Sequence, residues 1–353
     1  MRMARGGAAA AMRSAVVGAA VARLSYAILR ARPPAGTAKW TRTNHRGEPV
    51  TLLEGPAVAI GGVAGALAAG GGGRDRLAMA IAGAGAAAFG GYDDLAGNGS
   101  NKGFRGHLGA LRKGELTTGA VKLAGIGAVG LAAAVIAGDP ANGAADRIVG
   151  RRAVTAALAD TVINAGLIAG GANLLNLFDL RPGRAAKVAL IAGGLLAPAG
   201  TGASAAPLAA AAALLPEDLG ERAMLGDAGA NALGAMLGTA AATSLPRPAR
   251  LAALGVVIGL TAVSEVVSFT RVIERTGPLR WLDMLGRRAG AAAQAPAPAQ
   301  QTPAPHAGSD GALAGSIADA DNPDSGNRDG GHSNSGPAVG KHRAGTMPSA
   351  EGR

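Results

Sequence analysis

The chain of 353 residues has no cysteine, which excludes disulfides, zinc–thiolate sites and cysteine nucleophiles. Aromatics make up 2% of it and charged residues 16%. The charges are also unevenly placed, because apolar runs of membrane length alternate with short charged loops. That alternation belongs to a polytopic membrane protein. The amino-terminal stretch lacks a small-x-small cleavage site and carries Arg2, Arg5, Arg13 and Arg23, so it reads as a first span rather than a signal peptide. Met12 is an alternative start. The last 63 residues lack apolar content: from 291 to 353, Ala-Pro-Gln repeats give way to Ser, Gly, Asp and Asn. This composition cannot bury a core and predicts a disordered tail, whose scattered His306, His332 and His342 form no metal site.

What is abundant is small and apolar. Residues of the AVILMFWYC set reach 48%, mostly alanine, and there are 58 glycines. Small residues let helices pack closely where lipid offers no hydrophobic drive. The net charge of +11 would point to nucleic acid in a soluble protein. Here Lys and Arg gather in alternate loops, as the positive-inside rule asks, so no nucleic-acid partner is inferred.

The runs predict an all-α, polytopic transmembrane helical bundle of about nine helices over residues 1–290. Its spans lie near 14–29, 56–70, 77–91, 118–137, 154–172, 185–199, 203–215, 230–242 and 251–267. Crossing parity places the loops holding Arg46, Asp93, Asp179, Asp227 and Arg271 on one face, which is also the cation-richer one. By the charge rule that face is cytosolic and the protein a multi-pass component of the cell membrane.

Those loops carry the chemistry. The third run ends in Asp93-Asp94, followed by a basic, glycine-punctuated segment with Lys102 and Arg105. Paired carboxylates at a helix mouth suit a divalent cation and a phosphorylated substrate. Asn173, Asn176 and Asp179 fall three apart, so a continued helix aligns them on one stripe. Gly226-Asp227-Ala228-Gly229 opens the eighth span, its glycines allowing close backbone approach. Lys102, Arg105, Lys122 and Arg271 supply charge for a diphosphate, and the two asparagines offer donors and acceptors for a nucleobase or sugar. Any one of these Asp or Asn residues is equally a helix cap; their joint occurrence on one face favours chemistry.

The ordered series Asp93-Asp94, then Asn173-x-x-Asn176-x-x-Asp179, then Gly226-Asp227-x-Gly229 resembles the polyprenyl-phosphate N-acetylhexosamine-1-phosphate transferase family. The likeness covers about residues 46–288, including a proline followed by a glycine-punctuated apolar run from Pro49 to Gly62. The resemblance implies Mg²⁺-dependent transfer of a sugar-1-phosphate from a UDP-sugar to a membrane polyprenyl (undecaprenyl) phosphate, with release of UMP, in cell-envelope glycan synthesis. It implies catalytic roles for Asp93, Asp94 and Asp227, with Asp94 and Asp227 on the metal. Asn173, Asn176 and Asp179 would hold the nucleotide end. Partners would be the two substrates and membrane lipid, with a homodimer left open.

The chain also departs from that family. After Asp179 it reads Leu180-Arg181-Pro182-Gly183 where members commonly have Gly and a second Asp. No histidine lies between His107 and His306, so the His-rich motif of the last cytosolic loop is missing, replaced by a segment with Arg271, Arg275 and Arg280. A tenth span is missing too. These departures indicate a divergent branch and keep two rivals in view. One is a catalytically silent relative that binds polyprenyl phosphate as a scaffold; the other is a transporter with an ion path through Asp160, Glu265 and Lys122.

Overall fold

A computed structural model of the chain describes residues 2–44, 46–69, 72–96, 117–138, 151–196 and 203–288. Lys102, Arg105 and the tail from 291 onward lie outside the described residues.

Among the described residues the protein is all-α apart from one hairpin. Its helices are α1 (Arg2–Ala31), α2 (Thr37–Trp40), α3 (Glu54–Ala68), α4 (Gly73–Ala96), α5 (Thr118–Ala137) and α6 (Arg151–Phe178), followed by α7 (Arg184–Leu196), α8 (Ala205–Leu219), α9 (Gly226–Ser244), α10 (Arg247–Ser264), α11 (Phe269–Arg275) and α12 (Gly277–Met284). Strands β1 (Thr41–Thr43) and β2 (Pro49–Thr51) pair antiparallel, with Arg42 opposite Val50. Four helices are long and apolar enough to cross a membrane, over Gly7–Ala31, Thr118–Ala137, Val154–Phe178 and Arg247–Ser264. Outward-facing Leu24, Leu131, Val162 and Ile258 are all more than half exposed except Leu131 at 49%, as a lipid-facing surface requires.

The count of twelve described helices differs from the nine expected. Nine of them, α1 and α3 to α10, coincide with the expected runs; α2, α11 and α12 are short helices within segments taken as loops. Boundaries shift as well. α4 continues five residues past 91 to Ala96, so Asp93 and Asp94 sit on its last turns rather than beyond its end. α9 starts at Gly226 rather than near 230, because its first amides find acceptors. The polar loop after α1 holds the β-hairpin, turned by Asn44, whose Oδ1 accepts from the backbone N–H of Arg46 and of Glu48 at 2.8 and 2.9 Å.

Local signals explain several ends. Thr117 Oγ1 caps α5 by accepting from Ala120 N at 3.1 Å, and Gly138, at φ 69°, ends it. Pro248 sits in the first turn of α10, where a missing N–H costs nothing.

The centre of the molecule is α9, buried along nearly its whole length and packed on α3, α4 and α6. Its residues enter all three apolar clusters: Leu233 with α3 and α8, Ala235 with α4 to α6, and Met236 with Met79 and Ala206. Two glycines make its crossing with α6 close. A Cβ on Gly234 would lie 2.2 Å from the carbonyl oxygen of Gly171, and one on Gly171 would lie 2.8 Å from that of Gly234. Backbone contact replaces side-chain packing there.

At one end of the bundle the segments after α1, α6, α8 and α10 meet the end of α4. Met224 N donates to Thr51 O at 3.0 Å, Arg46 Nη2 to Arg288 O at 3.1 Å, and Arg42 to the Asp94 carbonyl oxygen. At the other end, Arg250 reaches from α10 to Asn164 Oδ1 on α6 at 2.8 Å, and Arg247 pairs with Asp160 at 3.1 Å.

Gly234→Val is expected to abolish the folded, monodisperse protein in size-exclusion chromatography, since no side chain can yield in a backbone–backbone contact. Gly127→Ala on α5, whose new Cβ meets nothing within 4 Å, is expected to keep the wild-type profile and gain about 0.5–1 kcal/mol in stability. A normal Gly234→Val profile would refute the close crossing.

Candidate functional site

Three of the sequence motifs converge where α4, α5 and α9 meet. Lys122 Nζ lies 2.7 Å from Asp93 Oδ2 and 2.6 Å from Asp227 Oδ2, all three side chains half-buried. Asp94 turns to the start of α9, where its Oδ1 accepts from Asp227 N at 3.0 Å and its Oδ2 from Ala228 N at 2.9 Å. Two consecutive amides at the amino end of α9 therefore end on a carboxylate from another segment, where the helix dipole also favours anions. Gly90 lets α4 come this close: a Cβ there would stand 2.3 Å from Asp227 O.

The charges are unbalanced, with three aspartates around one lysine. Burial, then the charge of Asp227, pushes the Asp94 carboxyl up to about 7 against its two backbone N–H donors. Burial raises Asp227 too, against the pull of Lys122. Burial alone would raise Asp93, but hydrogen bonds from Asp227, Lys122 and Thr118 hold it below the usual carboxylate value. Thr118 and Lys122, four apart on α5, share the face that meets these acids.

An apolar groove of about 730 Å³ opens beside the acids. Trp40, Ile60, Val63, Leu67, Tyr92 and Leu95 line it with Gly91 and Ala228, and Tyr92 and Ala228 border Asp93 and Asp227 in sequence. A smaller cavity of about 200 Å³ lies among Asn44, Asp179, Arg181, Asp218 and Glu221.

Sequence reasoning overlooked an acid cluster behind Asp179. Glu54 on α3 is fully buried with both carboxyl oxygens unpaired. Asp218 at the end of α8 is buried as well, its Oδ1 accepting from Gly183 N at 2.8 Å. Burial, then Asp218, raises the carboxyls of both Glu54 and Asp179 well above the usual value, and burial raises Asp218 itself to about 7. No motif marks Glu54 or Asp218; only their place in apolar sequence next to Leu53 and Leu219 hints at burial.

Other expected residues fall as follows. Asn173 and Asn176 are half-buried on the last turns of α6 and make no side-chain hydrogen bond among the described residues. Arg271 is exposed on α11 and makes no side-chain contact with the acids. Asp160 pairs with Arg247 and Arg250 at the opposite end from Lys122, so the two do not form one cluster.

For Mg²⁺, the donor set fits in type and number: the ion takes one or two protein carboxylates and completes its shell with water and phosphate oxygens. The Lys122 ammonium between Asp93 and Asp227 is a cation already standing at such a pair. Asp94 keeps free lone pairs beside its two backbone bonds. Among the described residues no group of three or more acids or histidines is disposed to enclose a metal, so the remaining ligands would come from water and substrate.

No protein-family model matches the chain, and no curated protein matches its sequence.

The raised acids fix a sign for pH dependence. A carboxyl with a higher pKa folded than unfolded binds more protons in the folded state, so it stabilises least once ionised. Stability should fall as pH rises from about 4 through 7, by up to about 1.4 kcal/mol per pH unit for each such group. Glu54→Gln removes one of them at equal volume. It is expected to raise the melting temperature in detergent at pH 8 and flatten its decline between pH 5 and 8; an unchanged slope would show that Glu54 is ionised in the fold.

Proposed function

We propose that the protein is an integral-membrane glycosyl-1-phosphate transferase, moving a sugar-1-phosphate from a UDP-sugar to a polyprenyl phosphate and releasing UMP. The observation that carries this reading is the apolar groove lined by Tyr92 and Ala228, the sequence neighbours of Asp93 and Asp227, which pair with Lys122. An isoprenoid chain needs such a groove, and its terminal phosphate then lies among groups that handle phosphate.

In this reading an oxygen of the acceptor phosphate attacks the β-phosphorus of the donor. The bond from that phosphorus to the bridging oxygen breaks, and UMP leaves with the electron pair. Asp93, the acid held lowest, takes the proton of a monoprotonated acceptor phosphate. Lys122 turns from the carboxylates to phosphate oxygens and offsets the charge that accumulates on them. Asn173 and Asn176, whose amides bond to no described residue, and Asp179 hold the nucleoside end. Asp227 and Asp94 would hold Mg²⁺, which when bound neutralises diphosphate charge and orients it for in-line displacement. The converging end faces the cytosol, where UDP-sugars are found and where its cation excess belongs. A reporter fused after Gly183 should read cytosol.

Pairing of Lys122 with two of the acids favours a second reading: a polyprenyl-phosphate-binding relative without turnover. Purified protein with undecaprenyl phosphate, Mg²⁺ and a panel of UDP-sugars separates the two. Transfer predicts UMP release that Asp227→Asn and Lys122→Met each lower at least about 100-fold, as loss of a charge-stabilising group does. UMP release absent with every donor, together with retained binding of the polyprenyl phosphate, would establish the silent relative instead.

A further inference from the structure

Helices α11 and α12 form a ledge at the same end as the acids but apart from them. Its residues are poorly placed for water. Val272, Leu279, Trp281, Met284 and Leu285 are between 41% and 67% exposed. Arg271, Arg275 and Arg280 are exposed too, and none makes an ion pair with a described residue.

The ledge is held firmly. Arg184 of α7 donates to Asp283 through Nε at 2.7 Å and Nη2 at 3.1 Å, both residues buried, and its Nη1 reaches Thr270 Oγ1 at 3.0 Å. Lys187 Nζ holds the final carbonyls of α12, at 3.1 Å from Leu282 O and 2.6 Å from Asp283 O. The Phe178 and Phe269 rings stack with centroids 4.8 Å apart, fixing α11 to the end of α6. Exposure of Trp281 is thus a fixed presentation.

Depth follows from the neighbours. Leu279 and Leu282 share an apolar cavity of about 620 Å³ with Leu260 and Val263, which close the membrane-length helix α10. The ledge begins where that span leaves the hydrocarbon, and its exposed apolar side continues the exposed apolar side of α10. Trp beside unpaired arginines at that level matches the amphipathic boundary of a bilayer, and the positive charge selects anionic headgroups.

We propose that α11–α12 is an interfacial ledge that docks on the anionic headgroup layer of the membrane, with Trp281 set in the boundary and Arg271, Arg275 and Arg280 on lipid phosphates. The sequence expectation of Arg271 as a donor contact is a different role, and this inference does not depend on the transferase reading.

The test uses the full chain in vesicles of phosphatidylcholine alone or mixed with phosphatidylglycerol, one lipid at a time carrying brominated acyl chains. Subtracting the emission of Trp281→Phe, which keeps the buried Trp40, isolates the Trp281 signal. Quenching of Trp281 is expected, stronger from brominated phosphatidylglycerol. The triple variant R271A/R275A/R280A should lose that preference, by up to about fivefold per arginine, and 1 M salt should erase it by screening. Equal quenching by both lipids, unchanged in the triple variant, would overturn the proposal. So would an unquenched Trp281, whether it emits as a water-exposed indole or is covered by a second copy of the chain.

Discussion

The amino end of α9 is the point on which the assembly depends. A helix start leaves amides without partners, and burying one unpaired costs about 1–3 kcal/mol. Here the amides of Asp227 and Ala228 are satisfied by Asp94. Asp94 lies 133 residues away from Asp227 in the chain. What a local Ser or Asp cap does for one helix, this residue does for the tertiary structure, tying α4 to the most buried helix. Glycine at 90 makes the contact possible. The same residues are those a sequence reader would assign to chemistry, so replacing Asp94 removes a structural cap and a functional candidate together. Asp93 and Lys122, which cap nothing, report on chemistry more cleanly.

A second constraint is the spread of negative charge away from that point. Asp227 raises Asp94 and contributes to the raising of Asp179; Asp218 raises Asp179 and Glu54. The acids thus form a chain of like charges running from the α5 face to α3, with Lys122 at one end. Any cation taken up beside Asp227 relieves the next acid in line, and a deprotonation at Glu54 is resisted by those ahead of it. Cation occupancy at the Asp227 end and protonation of the buried end are linked for that reason, through electrostatics alone.

Much of this was legible from spacing. Apolar runs gave nine of the helices, because runs of membrane length in alanine and glycine have few alternatives to helix, and parity gathered Arg46, Asp93, Asp179 and Asp227 at one end. Helix ends were less legible. Asp93 and Asp94 look like a stop after an apolar run, yet α4 carries through them because their side chains find partners across the bundle rather than in their own backbone. The β-hairpin was hidden by its three-residue strands, too short to show alternation. Arg184 and Asp283 are 99 residues apart, and nothing local in either marks a buried pair. Glu54 was passed over since an acid at the start of a helix is ordinarily a solvated favourite of the dipole.

The loop after Asp179 shows how distant parts of the chain meet. Arg181 turns out to Glu274 on α11 at 3.5 Å. A second carboxylate reaches the same loop. Asp218, from the end of α8, accepts from Gly183 N at 2.8 Å and lines the same small cavity as Asp179. Gly183, at φ 67°, adopts a backbone geometry open to glycine at little cost, and this presents its N–H to α8. That carboxylate comes from a helix 35 residues onward. Burial raises Asp218 to about 7, and in its neutral form the carboxyl can donate as well as accept.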